Sequence, residues 1–230
     1  AGGFKGKSDE LADRLSKLGP YDLVGLCDTQ LSASGAPSVK GFHLVRGTQA
    51  GKRGVAFLVA RHLASSIKVM GQANSDQLWV MVPGSRGEKD LYVCVAYMPL
   101  PGAANAPAAY DTLAESVACY KQRGVVVVLG DLNAWLAQAN SEEERKLIGP
   151  HGDATHERNR SGERLLEMLA AYDLRCLNGF SLPPAAEGFG SQRSAWFTRR
   201  DQYRGTYTMI DYIVTSPEME VKDFRVDYED

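Results

Sequence analysis

This chain has no apolar run long enough to cross a bilayer. Its apolar runs, Val125 to Leu129 between Gly124 and Gly130 among them, fall far short of the roughly 20 residues a spanning helix needs. No basic start followed by an apolar stretch reads as a secretory signal. There is no C-x-x-C pair among Cys27, Cys94, Cys119 and Cys176, which argues against a zinc module and for reduced thiols in an intracellular protein. There is little excess of either charge: the formal net charge is −2, so a globally basic nucleic-acid binder is excluded while a local basic patch is not. No repeat recurs at a fixed period, and no shift in composition marks a second domain. What is present is ordinary for a globular protein, 44% hydrophobic and 23% charged over 230 residues, enough for one large domain with a sizeable core. The chain opens on Ala1-Gly2-Gly3 without an initiator Met, and the expectation is a piece of a longer protein.

The most informative stretch is Gly124-Val125-Val126-Val127-Val128-Leu129-Gly130-Asp131-Leu132-Asn133-Ala134. The valine run reads as a strand covered on both faces. With one residue between them, Asp131 and Asn133 point the same way at its carboxyl end, where α/β folds tend to place their sites. A Gly-Asp-x-Asn turn with a purely local role explains the same residues, and on this stretch alone the two readings stand level.

Around it the pattern predicts helices over Ser8 to Leu18, Ala108 to Gln122, Ser141 to Leu147 and Ser161 to Tyr172, with Ser8 and Ser161 as caps. Strands are expected at Tyr21 to Cys27, Gly41 to Arg46, Gly54 to Val59, Ser66 to Met70, Gln77 to Val82, Asp90 to Tyr97, Leu174 to Leu177, Trp196 to Thr198, Met209 to Thr215 and Val221 to Val226. Strand-rich stretches with a few crossover helices suggest an α/β sandwich.

Three further positions stand out. Asp211 lies within the apolar strand Met209-Ile210-Asp211-Tyr212-Ile213-Val214, where a carboxylate must be paired or hydrogen-bonded. Asp28 follows Leu23 to Cys27, and Tyr97 follows Leu91 to Ala96. Each of these strand ends has an ordinary structural explanation as an ion pair, a turn cap or rim packing. Together with Asp131 and Asn133 they hold the inventory for hydrolysing a phosphate ester: carboxylate oxygens for a hard cation such as Mg²⁺, a carboxylate to deprotonate or orient water, and an amide to hold it. No base sits beside a Ser or Cys nucleophile, and His43, His62, His151 and His156 fall on no ligand spacing. Arg193, Trp196, Arg199, Arg200 and Arg204 interleave cations with an aromatic ring, a pattern suited to phosphate contact and base stacking. A solvated loop with Asp201 nearby accounts for it as well.

Taken in order, the segments resemble the endonuclease/exonuclease/phosphatase superfamily. Gly130-Asp131-Leu132-Asn133 is similar to its "GDxN" signature, and Leu26-Cys27-Asp28-Thr29 to "LQET". Tyr97-Met98-Pro99 is similar to "YxP", Ile210-Asp211-Tyr212-Ile213 to "xDYI", and Arg53-Gly54-Val55-Ala56 to the "GGVA" strand. Asn159 to Asn178 resembles in particular the endonuclease domains of non-LTR retrotransposons and, with the rest, covers nearly the whole chain. The resemblance implies a DNase I-like four-layer α/β sandwich, two packed mixed β-sheets flanked by helices, over a single domain of residues 1–230. It implies a phosphodiesterase of the endonuclease type using Mg²⁺ or Mn²⁺, with nucleic acid as partner (DNA ahead of RNA), no membrane association, and a nuclear setting if derived from a retroelement. By that resemblance Asp28 would hold the metal, Tyr97 would contact the scissile phosphate, and Asp131 would act on the water. Asn133 would position that water and Asp211 would orient a catalytic histidine, while Trp196, Arg199 and Arg200 would bind substrate.

The chain departs from the family pattern at both ends and at one ligand. No Asn-bearing strand precedes the Ser8 helix, and no Ser-Asp-His segment follows Val226; Asp28 stands where Glu is usual and Cys27 where Gln is. Two expectations follow. One is an active domain whose first and last strands lie outside the sequence. The other is a catalytically silent member serving as a binding or assembly module with protein partners.

Overall fold

The computed structural model describes residues 7–31, 37–47, 54–71, 74–154, 156–180, 198–200 and 207–224. The chain divides into two compact units, residues 1–97 and 98–230.

In the first unit, helix α1 (Ser8–Leu18) precedes six strands: β1 (Leu23–Cys27), β2 (Phe42–Arg46), β3 (Val55–Ala60), β4 (Lys68–Met70), β5 (Gln77–Val82) and β6 (Asp90–Tyr97). Strand β3 pairs antiparallel with β1 on one side and β2 on the other. It is buried along its whole length, as expected of a continuous apolar run at the centre of a sheet. Strands β4, β5 and β6 form an antiparallel meander, and β5 and β6 pack against β1 and β3, so this unit is itself a sandwich of two sheets. The other face of the first sheet is covered by α1. Its leucines Leu11 and Leu15 join Leu31, Val39 and Leu58 in one apolar cluster. The α1 bounds match the expected helix, but Ser8 is its first residue, and the preceding cap position, Lys7, makes no side-chain capping bond.

The second unit holds α2 (Ala106–Lys121), β7 (Gly124–Asp131), α3 (Glu142–Ile148), α4 (Arg160–Ala171), β8 (Arg175–Cys176), a single 3-10 turn (Leu177–Gly179), β9 (Arg199–Arg200), β10 (Tyr207–Thr208) and β11 (Asp211–Thr215). Strand β11 lies between β7 and β8, antiparallel to both, and β9 with β10 makes a short antiparallel ribbon. Helix α2 buries Tyr110, Leu113, Val117 and Tyr120, the stripe read from its 3.6-residue period, against β7 and α4.

Further sequence expectations change. Asn159, not Ser161, caps α4: its Oδ1 accepts from the Gly162 N–H at 2.7 Å, leaving Ser161 inside the first turn. Of the strand expected at Trp196 to Thr198, Trp196 and Phe197 lie outside the described residues; Thr198 carries no strand, and a short strand follows at Arg199–Arg200. Residues 221–224 carry no strand. Among the described residues no helix is long and apolar enough to cross a membrane.

Candidate active site

In the first unit, Asp28 and Tyr97 are brought together by their strands. The Cys27 thiol donates to the Ala96 carbonyl at 3.2 Å, so the carboxyl ends of β1 and β6 lie side by side, with Asp28 directly after β1 and Tyr97 the last residue of β6. Asp28 has a left-handed backbone, φ 52°, a conformation that Asp tolerates better than most residues. Both of its carboxylate oxygens accept from the Gln30 side-chain amide at 3.3 Å. The Tyr97 N–H donates to the Asp76 carbonyl at 2.7 Å, which fixes the end of β6.

In the second unit, Asp131 and Asp211 are register partners across β7 and β11, and Asn133 follows in the turn that leaves β7. The Gly-Asp-x-Asn sequence has a conformational reason. Gly130 sits at φ 131°, a region that L side chains rarely adopt. Asn133 sits at φ 48°, which Asn tolerates. Its N–H donates to Asp131 Oδ1 at 3.0 Å, and its own Nδ2 donates to the Met98 carbonyl at 2.8 Å. The local turn and the two-residue chemical reading are therefore the same object. The bond that shapes the turn occupies one carboxylate oxygen and leaves the Asn133 carbonyl as the amide's acceptor.

The residues after β7 form no regular element, yet their backbone is held nearly atom by atom, as buried polar groups require. The Asp131 carbonyl accepts from Met98 N–H, and Leu132 N–H donates to the Ile210 carbonyl, both at 2.9 Å. Two buried phenols take the next carbonyls: Tyr110 Oη donates to Leu132 O at 2.5 Å, and Tyr212 Oη lies 3.1 Å from Ala134 O and 2.8 Å from Met209 O. Burial pushes both phenols well above their ordinary pKa, so both stay protonated as donors. Asn159 pairs with Trp135 in both directions, and Arg158 Nε donates to Leu136 O at 3.0 Å. The Arg158 guanidinium is itself clamped by both oxygens of Glu144 at 2.9 and 2.7 Å, and the pair holds Glu144 below the usual carboxylate range. A turn pinned this way holds its side chains on a rigid frame, the condition a reactive site needs.

Asp211 is held from two sides. Asn178, 2% exposed, donates from Nδ2 to the Asp211 carbonyl and accepts from the Ile213 N–H, each at 3.0 Å. Its amide thus continues the β8 ladder where the backbone has turned away. On the other side Thr198 Oγ1 accepts from the N–H groups of Ile210 and Asp211 at 3.1 and 3.0 Å. Burial raises the Asp211 carboxyl above its ordinary value, and the Thr198 hydroxyl and the charge of Arg199 oppose that rise without cancelling it. Neither Asn178 nor Thr198 is legible in the sequence as a partner of Asp211, because the contacts join residues 33 and 13 positions apart.

Of the expected substrate contacts, Arg199 is exposed and acts on Asp211 electrostatically. Arg200 is placed in β9; Trp196, Arg193 and Arg204 lie outside the described residues. Burial pushes the Cys94 thiol up and the Cys176 thiol up to about 12, which keeps both in the unreactive protonated form.

A family model of the endonuclease/exonuclease/phosphatase family matches residues 1–229. Among solved structures, the chain is similar to the endonuclease domain of TRAS1, a telomere-specific non-LTR retrotransposon. The identity is 14%, the match covers 94% of this chain and 81% of that one, and the TM-score is 0.57. It is similar to the 3′ phosphatase NExo from Neisseria, solved bound to a product DNA hairpin, with 18% identity, 95% and 84% coverage and a TM-score of 0.61. It is also similar to the AP endonuclease LMAP from Leishmania major, with 14% identity, 94% and 77% coverage and a TM-score of 0.61. No curated protein sequence matches the chain. At these identities the likeness shows the fold, a DNase I-like α/β architecture of two sheets flanked by helices, the class expected from the sequence.

Proposed function

The chain belongs to the endonuclease/exonuclease/phosphatase family, and from that premise we propose that it is a Mg²⁺-dependent phosphodiesterase that cleaves nucleic acid, DNA ahead of RNA, inside the cell. The observation that carries the reading is the pair of carboxylates in register, Asp131 opposite Asp211, with the Asn133 amide locked beside them. Family and neighbours support a nuclease/phosphatase-type phosphodiesterase fold.

In this reading Asp131 orients the attacking water and takes its proton, and the Asn133 Oδ1 receives a second hydrogen bond from that water. A P–O bond forms to the water oxygen, the bond to the ester oxygen breaks, and the leaving oxygen takes a proton from solvent. Asp211 serves as the anchor for an imidazole, the role its motif implies. Tyr97 would donate to the scissile phosphate, and Arg199 and Arg200, with Trp196, would bind the flanking strand. Family members are generally divalent-metal dependent, and Asp28 fits a hard cation. It offers carboxylate oxygens at a strand end whose amide contact among the described residues is long, and Mg²⁺ is commonly held through one or two carboxylates with waters completing its shell. When bound, the cation offsets negative charge on the phosphate.

The test is nicking of supercoiled plasmid with Mg²⁺ and its arrest by chelator. A protein that binds oligonucleotide but never cleaves would replace this reading with the second one, a non-catalytic binding module. That second reading is favoured by Asp28 standing where the family pattern has Glu, a ligand shorter by one methylene.

Asp211 also sets a pH dependence. Its folded-state pKa is raised, so ionising it opposes folding, and its contribution to stability is lost as pH rises through that value. Activity needs the ionised form, so the acid limb of the rate profile is expected above the ordinary carboxylate range. Thr198→Val removes the hydroxyl that favours the charged form and is expected to move that limb to higher pH, whereas Thr198→Ser leaves it in place. An acid limb identical in all three proteins would show that Asp211 does not govern it.

A further inference from the structure

We infer that Trp135 and His156 form a stacking site for a nucleobase of the nucleic acid that the Asp131–Asn133 turn acts on. The inference rests on the phosphodiesterase reading for where the substrate lies. Along the turn, Leu132, Asn133, Ala134 and Leu136 are 0%, 4%, 0% and 2% exposed, and Trp135 alone among these five consecutive residues is not buried. An indole is the largest apolar side chain, and tertiary packing would be expected to cover it. Here it reaches the surface while its small neighbours are enclosed.

The ring is also fixed. Its backbone N–H donates to Asn159 Oδ1 at 3.1 Å, and its carbonyl accepts from Asn159 N–H at 3.3 Å. The His156 ring packs against it with centroids 4.9 Å apart and planes tilted by 49°. His156 is held in turn, with Nδ1 2.7 Å from Asp153 Oδ2; the Asp153 side chain is 5% exposed and the imidazole 18%. Two preorganised rings lose little freedom when a third plane joins them. Arg160, exposed at the first position of α4 directly after Asn159, supplies a cation for an adjoining phosphate. Trp135 lies two residues from Asn133, a span of at most about 7 Å, so a phosphate at the turn leaves the next base beside the rings. A partner peptide would account for the half-buried indole but not for its placement there.

The experiment compares binding of a fluorescent single-stranded thymidine oligonucleotide with a base-free oligomer of the same length, in chelator so that nothing is cleaved. The unmodified protein is expected to favour the base-bearing strand by about tenfold, within the range that one aromatic platform gives. Trp135→Leu keeps apolar bulk without a π face and is expected to erase the preference, while Trp135→Phe retains most of it. Should Trp135→Leu fail to fold, His156→Leu makes the same comparison from the other ring and is expected to reduce the ratio. A ratio unmoved by the folded variant rejects the stacking site. Plasmid nicking is read in parallel. Nicking with an unmoved ratio removes this inference and leaves the phosphodiesterase reading; a lost ratio without nicking removes that reading and leaves the stacking site.

Discussion

Asp131→Asn is expected to lower the rate of Mg²⁺-dependent plasmid nicking by about 10³-fold, within the usual range for a lost general base, with no change in thermal midpoint. The separation of the two effects follows from the turn. The structural task of Asp131 is to accept the Asn133 N–H on Oδ1, and an amide oxygen in the same place accepts it equally. The proposed chemical task, receiving a proton from water, is one that a neutral amide cannot perform. Asp131→Ala is expected to lose the rate to the same extent and also about 1 kcal/mol of stability, because the buried Asn133 N–H then has no acceptor. An Asp131→Asn protein that keeps more than about a tenth of the rate would remove Asp131 from the chemistry and leave it as the cap of its turn.

Gly179→Ala is expected to destabilise the protein by about 3 kcal/mol or more. That is a fall of about 10 °C in midpoint, followed by circular dichroism. A Cβ at Gly179 would lie 1.8 Å from the Ile148 carbonyl oxygen and 3.0 Å from its carbon. The obstacle is main chain at the end of α3, so no rotamer change relieves it. The same crossing holds the Gly179 carbonyl against the His151 N–H at 3.0 Å. Asn178, which clamps Asp211, is the residue before. Displacing the 3-10 turn should therefore lower nicking activity along with stability. A variant as stable as the parent would mean that the two segments do not approach this closely.

Much of the architecture could be read from residue order because it is driven by local pattern. Leucine spacing in Ser8–Leu18 is set by a period of 3.6, and the apolar run Leu78–Val82 and the unbroken valines of β7 by burial on both faces. Strand ends were equally legible: an Asp or Asn immediately after an apolar run marks where the chain leaves a sheet, and Asp28, Asp131 and Asn133 all sit at such points. The α4 cap was misread for a reason that is not local. Asn159 and Ser161 are both good caps, and the decision fell to Asn159 because its Oδ1 also takes the Trp135 N–H, 24 residues away.

The sequence by itself determined the periodic elements, the polar residues at strand ends and the family pattern in which they stand, since each is written within a few neighbouring residues. Only the tertiary structure decided how the site residues are held: Asp211 between Asn178 and Thr198, the β7 turn by Tyr110 and Tyr212, and Trp135 against His156. The physical reason is that a buried carbonyl or N–H needs some partner, and many residues can supply one. Which residue does so depends on where distant segments pack, and no periodicity in the chain records that.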